Sequence, residues 1–183
     1  MDTVKQAQSI VGYSGNRADG DFYPTPSHVT KDIYEYEVFV GNIWEPACGD
    51  GAMSKVLERA GYDVISSDLY DRGYGETGIN FLLENRSVDN IVTNPPFKDA
   101  EKFIYHALKC SNRKVAMFLK LSFLEGAKRK IMFESTPLIR VWVYSKRVSL
   151  LRNGEGKRGS GMIAFAWFVW ERGYTGEPVI KWI

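Results

Sequence analysis

One short stretch decides the fold, Asp89-Asn90-Ile91-Val92-Thr93-Asn94-Pro95-Pro96-Phe97. Its first half contains the apolar, β-branched pair Ile91-Val92 and predicts a buried strand, and its second half joins an amide, two prolines and an aromatic ring. The prolines fix φ at two successive residues and disfavour helix at the residue before each one. The loop after the strand is therefore stiff and holds Asn94 in place, as a binding or reactive loop requires.

A second ligand-binding loop is predicted upstream. A strand ends in the run Glu45-Pro46-Ala47-Cys48-Gly49-Asp50-Gly51 and leads into a predicted helix over residues 52–61. Glycines let the backbone approach a ligand closely, and the start of a helix offers free N–H groups to an anion. The spacing fits neither the dinucleotide pattern G-x-G-x-x-G nor the phosphate loop that ends in Gly-Lys-Ser/Thr.

An acidic residue follows the next predicted strand. Residues 63–67 form that strand, and Asp68 stands at its end, about 20 residues beyond the glycine turn. Nucleotide-binding α/β folds place an acid at this position, where it accepts hydrogen bonds from ribose hydroxyls. Asp68 is therefore a candidate ribose ligand.

The order of the segments predicts an α/β fold. Strands and helices alternate through most of the chain, which is typical of a doubly wound, Rossmann-like, mostly parallel sheet, here of seven strands. Residues 139–144 and 162–170 are expected to close it as a C-terminal antiparallel hairpin, and residues 173–183 to pack across one face. The predicted sites then all lie at the carboxyl edge of the sheet.

Length and composition favour one catalytic domain. The chain has 183 residues, of which 44% are hydrophobic, and a net charge of +2. Residues 1–20 predict an N-terminal arm and residues 21–183 the domain. No apolar run is long enough to cross a membrane and no signal peptide is evident, so a cytoplasmic protein is expected. Two cysteines and two histidines without ligand spacing predict no metal site.

These motifs resemble those of the class I S-adenosylmethionine-dependent methyltransferases that modify an exocyclic nitrogen of a base. The signature of that family is Asn/Asp/Ser-Pro-Pro-Tyr/Phe/Trp, which Asn94-Pro95-Pro96-Phe97 matches. The family also has an acidic residue before a glycine turn, as at Glu45, and an aromatic-Tyr-Thr-Pro element, as in the segment from Phe22 to Pro26. The order of these motifs is the gamma-like arrangement, and the resemblance covers nearly the whole chain.

The resemblance implies S-adenosylmethionine as the cofactor. The segment before the first helix would close over its methionine end, the glycine turn would hold its amino acid part, Asp68 its ribose, and residues 80–81 its adenine. The family has Asp where this chain has Asn80, but an amide oxygen can still accept the adenine hydrogen bond. The implied cofactor residues are Tyr23, Pro24, Thr25, Pro26, Glu45, Ala47, Cys48, Gly49, Gly51, Asp68, Asn80 and Phe81.

The reaction that the resemblance implies is methylation of the N6 amino group of adenine in DNA. Asn94 and the Pro95 carbonyl would accept hydrogen bonds from that amino group, and direct in-line transfer would follow from positioning. Phe97 would stack on the base, which must be flipped out of a duplex. The predicted catalytic residues are Asn94, Pro95, Pro96 and Phe97.

Other activities rank below this one. Methylation of cytosine at C5 needs a cysteine after a proline, and neither Cys48 nor Cys110 has that context. Three alternatives stay open: adenine-N6 methylation of RNA, glutamine-N5 methylation of protein, and a cofactor-binding partner subunit without catalysis.

A basic, glycine-rich stretch is the predicted nucleic-acid contact. Cationic loops gain affinity from each phosphate that they neutralise. The candidate residues are Lys146, Arg147, Arg152, Lys157 and Arg158. Because the sequence shows no separate target-recognition domain, specificity is expected to come from this stretch, the arm, a second copy in a homodimer, or another protein. Such a compact enzyme is similar to those carried by phages and prophages, which suggests a bacterial host cell.

Overall fold

The computed structural model describes residues 22–150 and 163–183. The predicted arm over residues 1–20 lies outside the described residues, as do three of the predicted nucleic-acid contacts, Arg152, Lys157 and Arg158. Within the described residues, no helix is long and apolar enough to cross a membrane.

Strands and helices alternate along the described chain. In order, they are α1 (Ser27–Tyr36), β1 (Ile43–Glu45), α2 (Ser54–Arg59), β2 (Val64–Ser66), a 3₁₀ turn (Phe81–Leu83), β3 (Val88–Thr93), α3 (Ala100–Cys110), β4 (Ser111–Lys120), a second 3₁₀ turn (Leu121–Leu124), α4 (Ala127–Ser135), β5 (Leu138–Val143), β6 (Phe165–Glu171) and β7 (Val179–Trp182).

The strands form one seven-stranded sheet in the order β2-β1-β3-β4-β6-β5-β7. Strand β6 runs antiparallel to both of its neighbours, and every other pair is parallel. The predicted fold class and the C-terminal antiparallel pair of β5 and β6 are therefore confirmed.

The prediction for residues 173–183 is wrong. Instead of packing across one face, Val179–Trp182 adds an edge strand that pairs parallel with β5, with Val141 opposite Ile180. The pairing continues beyond the strand, since the Ser145 amide donates to the Ile183 carbonyl at 2.9 Å. This edge strand gives the backbone groups on the outer side of β5 hydrogen-bond partners, which a chain crossing one face would not provide.

Helices cover both faces of the sheet. Helices α1 and α2 pack on one face through Val29, Ile33 and Leu57, whereas α3 packs on the other through Phe103 and Ile104. Because β6 alone is reversed, the carboxyl ends of β1, β2, β3, β4, β5 and β7 meet at one edge of the sheet. Loops that leave this edge are where open α/β sheets bind ligands.

Candidate active site

The proline loop begins where β3 ends, at the carboxyl edge. The Asn94 side chain is held there by the segment before α1: its Nδ2 donates to the Tyr23 carbonyl oxygen and to Thr25 Oγ1, both at 3.1 Å. A carbonyl oxygen can only accept, so the contact with Tyr23 fixes which end of the amide faces it. The side-chain oxygen of Asn94 must therefore point the other way.

Two neighbouring acceptors of this loop have no hydrogen bond. Asn94 Oδ1 is buried and has no partner within the described residues. The Pro95 carbonyl also accepts no hydrogen bond from them, whereas the Pro96 carbonyl accepts from the Asp99 amide at 3.0 Å. Buried acceptors are nearly always paired, so Asn94 Oδ1 indicates a place for a ligand that donates a hydrogen bond, and the Pro95 carbonyl is the adjacent acceptor for a second one.

Phe97 lies half-buried among aromatic rings at the same edge. Its ring centroid is 6.0 Å from that of Tyr23 and 6.0 Å from that of Phe165, at the start of β6. The Lys120 ammonium lies 4.9 Å from the same centroid. Phe165 was missed from the sequence, because an apolar strand gives no sign of which of its rings borders a site.

The glycine turn and the acid after β2 bind each other. Asp68 Oδ2 accepts from the Gly49 amide at 2.8 Å, and Oδ1 accepts from the Tyr70 amide at 2.8 Å. Gly49 has a φ of 56°, and a Cβ on it would stand 2.4 Å from the Phe22 ring. The turn therefore needs glycine both for its backbone conformation and for the aromatic side chain that crosses it.

Glu45 stands at the end of β1 with its carboxyl group buried. It accepts from the Ser54 hydroxyl, which in turn accepts from the Ser66 hydroxyl at 2.7 Å. Burial raises the pKa of Glu45 to about 8, against the effect of the Ser54 hydrogen bonds, and the nearby carboxylate of Asp68 contributes to the rise. A buried acid in this state favours a cationic ligand, which would stabilise its charged form.

Residues 80 and 81 have local roles in the structure. Asn80 Oδ1 accepts from the Leu82 amide at 3.1 Å and caps the short 3₁₀ turn. The Phe81 ring is buried in the core against Trp44, Phe103 and His106, at centroid distances of 5.1, 4.8 and 4.8 Å. Both residues nonetheless line a cleft at this edge of the sheet.

A cleft of about 220 Å³ joins these groups. Of the predicted catalytic residues, Asn94 and Pro96 line it. Its lining also includes nine predicted cofactor residues: Tyr23, Pro24, Thr25, Glu45, Ala47, Cys48, Asp68, Asn80 and Phe81. The predicted catalytic and cofactor residues that do not line the cleft are Pro26, Gly49, Gly51, Pro95 and Phe97. The Pro26 carbonyl instead accepts from the Val29 amide at the start of α1. The structure thus brings together segments that are up to 71 residues apart in sequence.

Sequence reasoning missed a group of cleft residues around Arg72. Its guanidinium lies 4.1 Å from the centroid of the Phe22 ring and 5.5 Å from that of Tyr70. These contacts join the loop after β2 to the segment before α1, and all three side chains border the cleft. The signal was weak, because residues 70–77 are rich in glycine and charge and predict only a loop.

Two of the predicted nucleic-acid residues are described. Lys146 and Arg147 are exposed and follow β5, at the same carboxyl edge of the sheet as the proline loop.

Within residues 22–150 and 163–183, no group of three or more His, Cys, Asp or Glu side chains could hold a metal ion.

Sequence comparison finds a restriction methylase. Over 111 residues the chain is 32% identical to the methylase subunit of the type I restriction enzyme MjaIX from Methanocaldococcus jannaschii. The match covers 45% of this chain, which spans only 20% of that relative. No protein-family model matches the chain.

Solved structures of methyltransferases share the fold over most of the chain. PH1948 from Pyrococcus horikoshii, a proposed RNA methyltransferase, superposes with a TM-score of 0.62 at 15% identity and covers 93% of this chain and 98% of its own. The M protein of the type I restriction enzyme EcoKI superposes with a TM-score of 0.57 at 13% identity, and the match covers 81% of this chain and 44% of the M protein. Magnesium protoporphyrin IX methyltransferase from Synechocystis PCC 6803, solved with bound S-adenosylmethionine, gives 0.55 at 12%, with 80% and 79% covered.

The sheet, its reversed strand and these superpositions define the class. The chain has the fold of the class I S-adenosylmethionine-dependent methyltransferases, as the proline loop and the glycine turn predicted.

Proposed function

We propose that this protein transfers a methyl group from S-adenosylmethionine to the N6 amino group of adenine in DNA. The observation that carries the proposal is a pair of acceptors with no hydrogen bond within the described residues, Asn94 Oδ1 and the Pro95 carbonyl, on one stiff loop of which Asn94 and Pro96 line the cleft. An exocyclic amino group has two hydrogens, and the loop offers one acceptor for each of them.

The two acceptors address the weakness of this nucleophile. The lone pair of an adenine amino group is delocalised into the ring, so the nitrogen is planar and unreactive. Hydrogen bonds from its two hydrogens to Asn94 and Pro95 favour a pyramidal nitrogen whose lone pair points out of the ring plane. Transfer then depends on orientation and on groups already in position, without a covalent enzyme intermediate.

The cleft residues fit the cofactor. Glu45 would face its ammonium group, and that cation would favour the charged form of this buried acid. Asp68 would accept from its ribose hydroxyls, since each carboxylate oxygen has a lone pair beyond its one backbone bond. When bound, S-adenosylmethionine supplies the electrophilic methyl group. Tyr23, whose carbonyl orients Asn94, also lines this cleft.

Phe97 is the stacking surface proposed for the target base. Its ring is half-buried, with Phe165 packed behind it at 6.0 Å. A base flipped from a duplex loses its stacking on its neighbours, and an aromatic ring replaces part of that interaction.

DNA is proposed as the substrate on two grounds. The relative that aligns in sequence and one of the similar structures are methylation proteins of type I restriction enzymes. In addition, Lys146 and Arg147 stand exposed at the edge where a polynucleotide would approach, and Arg152, Lys157 and Arg158 follow in sequence. We propose that recognition of the target sequence comes from this stretch together with a second copy or a separate subunit.

The test is methyl transfer from labelled S-adenosylmethionine to unmethylated duplex DNA, single-stranded DNA, RNA and protein in parallel, followed by mass spectrometry of the nucleosides. The proposal expects N6-methyladenine in DNA. Label in RNA would move the substrate but keep the chemistry of the loop, an outcome that the resemblance to PH1948 makes worth including. Label in glutamine, or cofactor binding without transfer to any substrate, would overturn the proposal.

A further inference from the structure

Lys120 stands at the junction of the proline loop and the sheet. It is the last residue of β4 and pairs with Phe165 of β6, so its backbone is fixed at the carboxyl edge. Its ammonium lies 4.9 Å from the centroid of Phe97, the ring proposed to stack on the target base. No motif of the sequence singled this lysine out.

Lys120 is a half-buried residue, and its ammonium has no anionic partner in the part of the chain that the structure describes. Within the described residues its contact is the Phe97 ring, and no carboxylate or carbonyl oxygen binds it. Other half-buried cations in the described chain do have such partners: Lys114 and Arg140 bind Glu37, and Arg86 binds Glu76. A cation without a counter-ion is open to an anionic ligand, and partial burial of the side chain strengthens that attraction.

A groove lies next to Lys120 in sequence. This groove, of about 530 Å³, begins at the next residue and is lined by Leu121, Ser122, Leu124, Glu125, Ile163 and Ala164. None of these residues is a cation. The lining includes the acid Glu125 and does not include Lys120 or Phe97, so an anionic ligand is inferred from the Lys120 ammonium at the Phe97 ring.

We propose that Lys120 binds a phosphate of the flipped nucleotide, and so makes a nucleic acid the substrate of this site. The inference rests on the proposed function, because it takes Phe97 as the surface on which the base stacks. The ammonium lies over the Phe97 ring, so a base stacked on that face would displace it to the edge of the base, where the sugar and phosphate lie. A lysine serves as a point charge for phosphate, and a neutral glutamine side chain would have no use for it.

The experiment compares Lys120→Gln with Lys120→Arg and with the control Lys130→Gln. Lys130 is an exposed lysine of α4, paired with Glu134 at 3.6 Å. For each protein, the affinity for S-adenosylmethionine is measured by calorimetry, and the affinity for a fluorescent oligodeoxyadenylate is measured by anisotropy over a series of KCl concentrations. Methyl transfer to unmethylated DNA gives kcat and KM.

The expected result separates the three variants. Lys120→Gln binds the cofactor as the wild type does, but its affinity for the oligonucleotide falls about tenfold, the loss of one charge-assisted contact. The slope of log affinity against log salt becomes shallower by about 0.7, the value for one phosphate of a single strand. Lys120→Arg restores the slope, and Lys130→Gln leaves both quantities unchanged.

Two outcomes overturn the inference while leaving the proposed function intact. One is a wild type that methylates DNA while Lys120→Gln keeps its salt slope and its kcat/KM. The other uses DNA with one neutral methylphosphonate beside the mapped target adenine. Wild type and Lys120→Gln should differ less on that DNA than on the natural one, and an equal difference on both would exclude the phosphate contact. A wild type that methylates no nucleic acid instead overturns the proposed function itself.

Discussion

The side-chain amide of Asn94 donates to the backbone carbonyl of Tyr23 at 3.1 Å, although the two residues are 71 positions apart. This bond joins the loop after β3 to the segment before α1, which itself lines the cleft. The orientation of the acceptor proposed for the substrate thus depends on a segment proposed for the cofactor. A cofactor that orders residues 22–25 would at the same time fix the Asn94 oxygen for the base.

The role of Asn94 can be tested by substitution. Asn94→Ala removes one of the two unbonded acceptors, so we expect kcat for methyl transfer to fall on the order of a hundredfold or more. The affinity for S-adenosylmethionine, measured by calorimetry, should change little. Asn94→Asp keeps an acceptor but places a second carboxylate oxygen against the Tyr23 carbonyl, so its activity should lie between that of the wild type and that of Asn94→Ala. Turnover of Asn94→Ala near the wild-type rate would contradict the mechanism.

Thr25 is expected to act through the orientation of Asn94. Thr25→Val removes one of the two acceptors that hold Asn94 Nδ2, and a net hydrogen bond is worth about 1 kcal/mol, so kcat should fall about fivefold. Thr25→Ser should keep the bond and the activity. Thr30→Val is the matched control, because the buried Thr30 hydroxyl has no partner within the described residues. Equal changes in kcat for Thr25→Val and Thr30→Val would show that Thr25 does not act through the orientation of Asn94.

The glycine turn can be tested with a pair of alanines. Gly49 and Gly61 both have positive φ, 56° and 92°, but a Cβ on Gly49 would stand 2.4 Å from Phe22, whereas a Cβ on Gly61 would meet nothing within 4 Å. Both alanine variants should lose about 1–2 kcal/mol of stability from backbone strain. Only Gly49→Ala should also lose affinity for the cofactor, which calorimetry measures. Similar cofactor affinity in the two variants would show that Phe22 need not cross the turn.

Local patterns in the sequence were enough to predict most of the fold. The apolar strands, the stiff Asn94 loop and the turn around Gly49 follow from short-range rules of backbone geometry, and the structure has them. The strand Val179–Trp182 was missed, because it is short, lies at an edge and has all four residues exposed, so no burial pattern marks it.

The candidate site was predictable in its parts but not in its connections. Sequence reasoning placed Asn94, Glu45 and Asp68 at one edge of the sheet, since the order of strands and loops determines that. It could not foresee that Tyr23 orients Asn94 or that Lys120 lies on Phe97. Such contacts join distant segments, and only the packed sheet brings their side chains together.

A buried ion cluster far from the cleft provides a stability prediction. Glu37 follows α1 and accepts hydrogen bonds from Lys114 Nζ and Arg140 Nη2, both at 2.8 Å, and from Trp142 Nε1 at 2.9 Å. Burial alone would raise the pKa of Glu37, but these donors lower it on balance. Glu37→Ala leaves Arg140 without this counter-charge and Lys114 with its 3.8 Å contact to Glu171, so it should cost about 3–5 kcal/mol in the free energy of unfolding.

The control for Glu37 is Glu35→Ala, an exposed glutamate of the same helix, which should change the stability little. The lowered pKa of Glu37 also determines how its contribution to stability changes with pH. As the pH falls, the Glu37 carboxylate is protonated in the unfolded chain before it is protonated in the folded one. The stability that Glu37 contributes is therefore complete above about pH 4.5 and is lost as the pH falls through the pKa of Glu37 in the folded chain. Equal urea midpoints for the two alanine variants at neutral pH would contradict the structural role of the cluster.

The contribution of Glu45 to stability should depend on pH in the opposite direction to that of Glu37. Its pKa is raised from 4.5 to about 8 by burial, so between these values the folded chain keeps a proton that the unfolded chain has released. The stability from this group is complete below pH 4.5 and is lost as the pH rises through 8, by up to about 1.4 kcal/mol per pH unit. Glu45→Gln does not titrate, so its stability relative to the wild type should increase from pH 5 to pH 8.

Urea unfolding at several pH values measures this difference, with Glu134→Gln on the exposed face of α4 as the control that keeps the wild-type profile. Parallel profiles for Glu45→Gln and the wild type would show that the carboxyl group is not held protonated.

The proton held by Glu45 should be released when the cofactor binds. Because an ammonium group beside Glu45 favours the carboxylate, binding of S-adenosylmethionine at pH 7 should release a proton from the wild type and none from Glu45→Gln. Calorimetry in buffers of different ionisation enthalpy detects that release, and it would place the amino acid end of the cofactor beside β1.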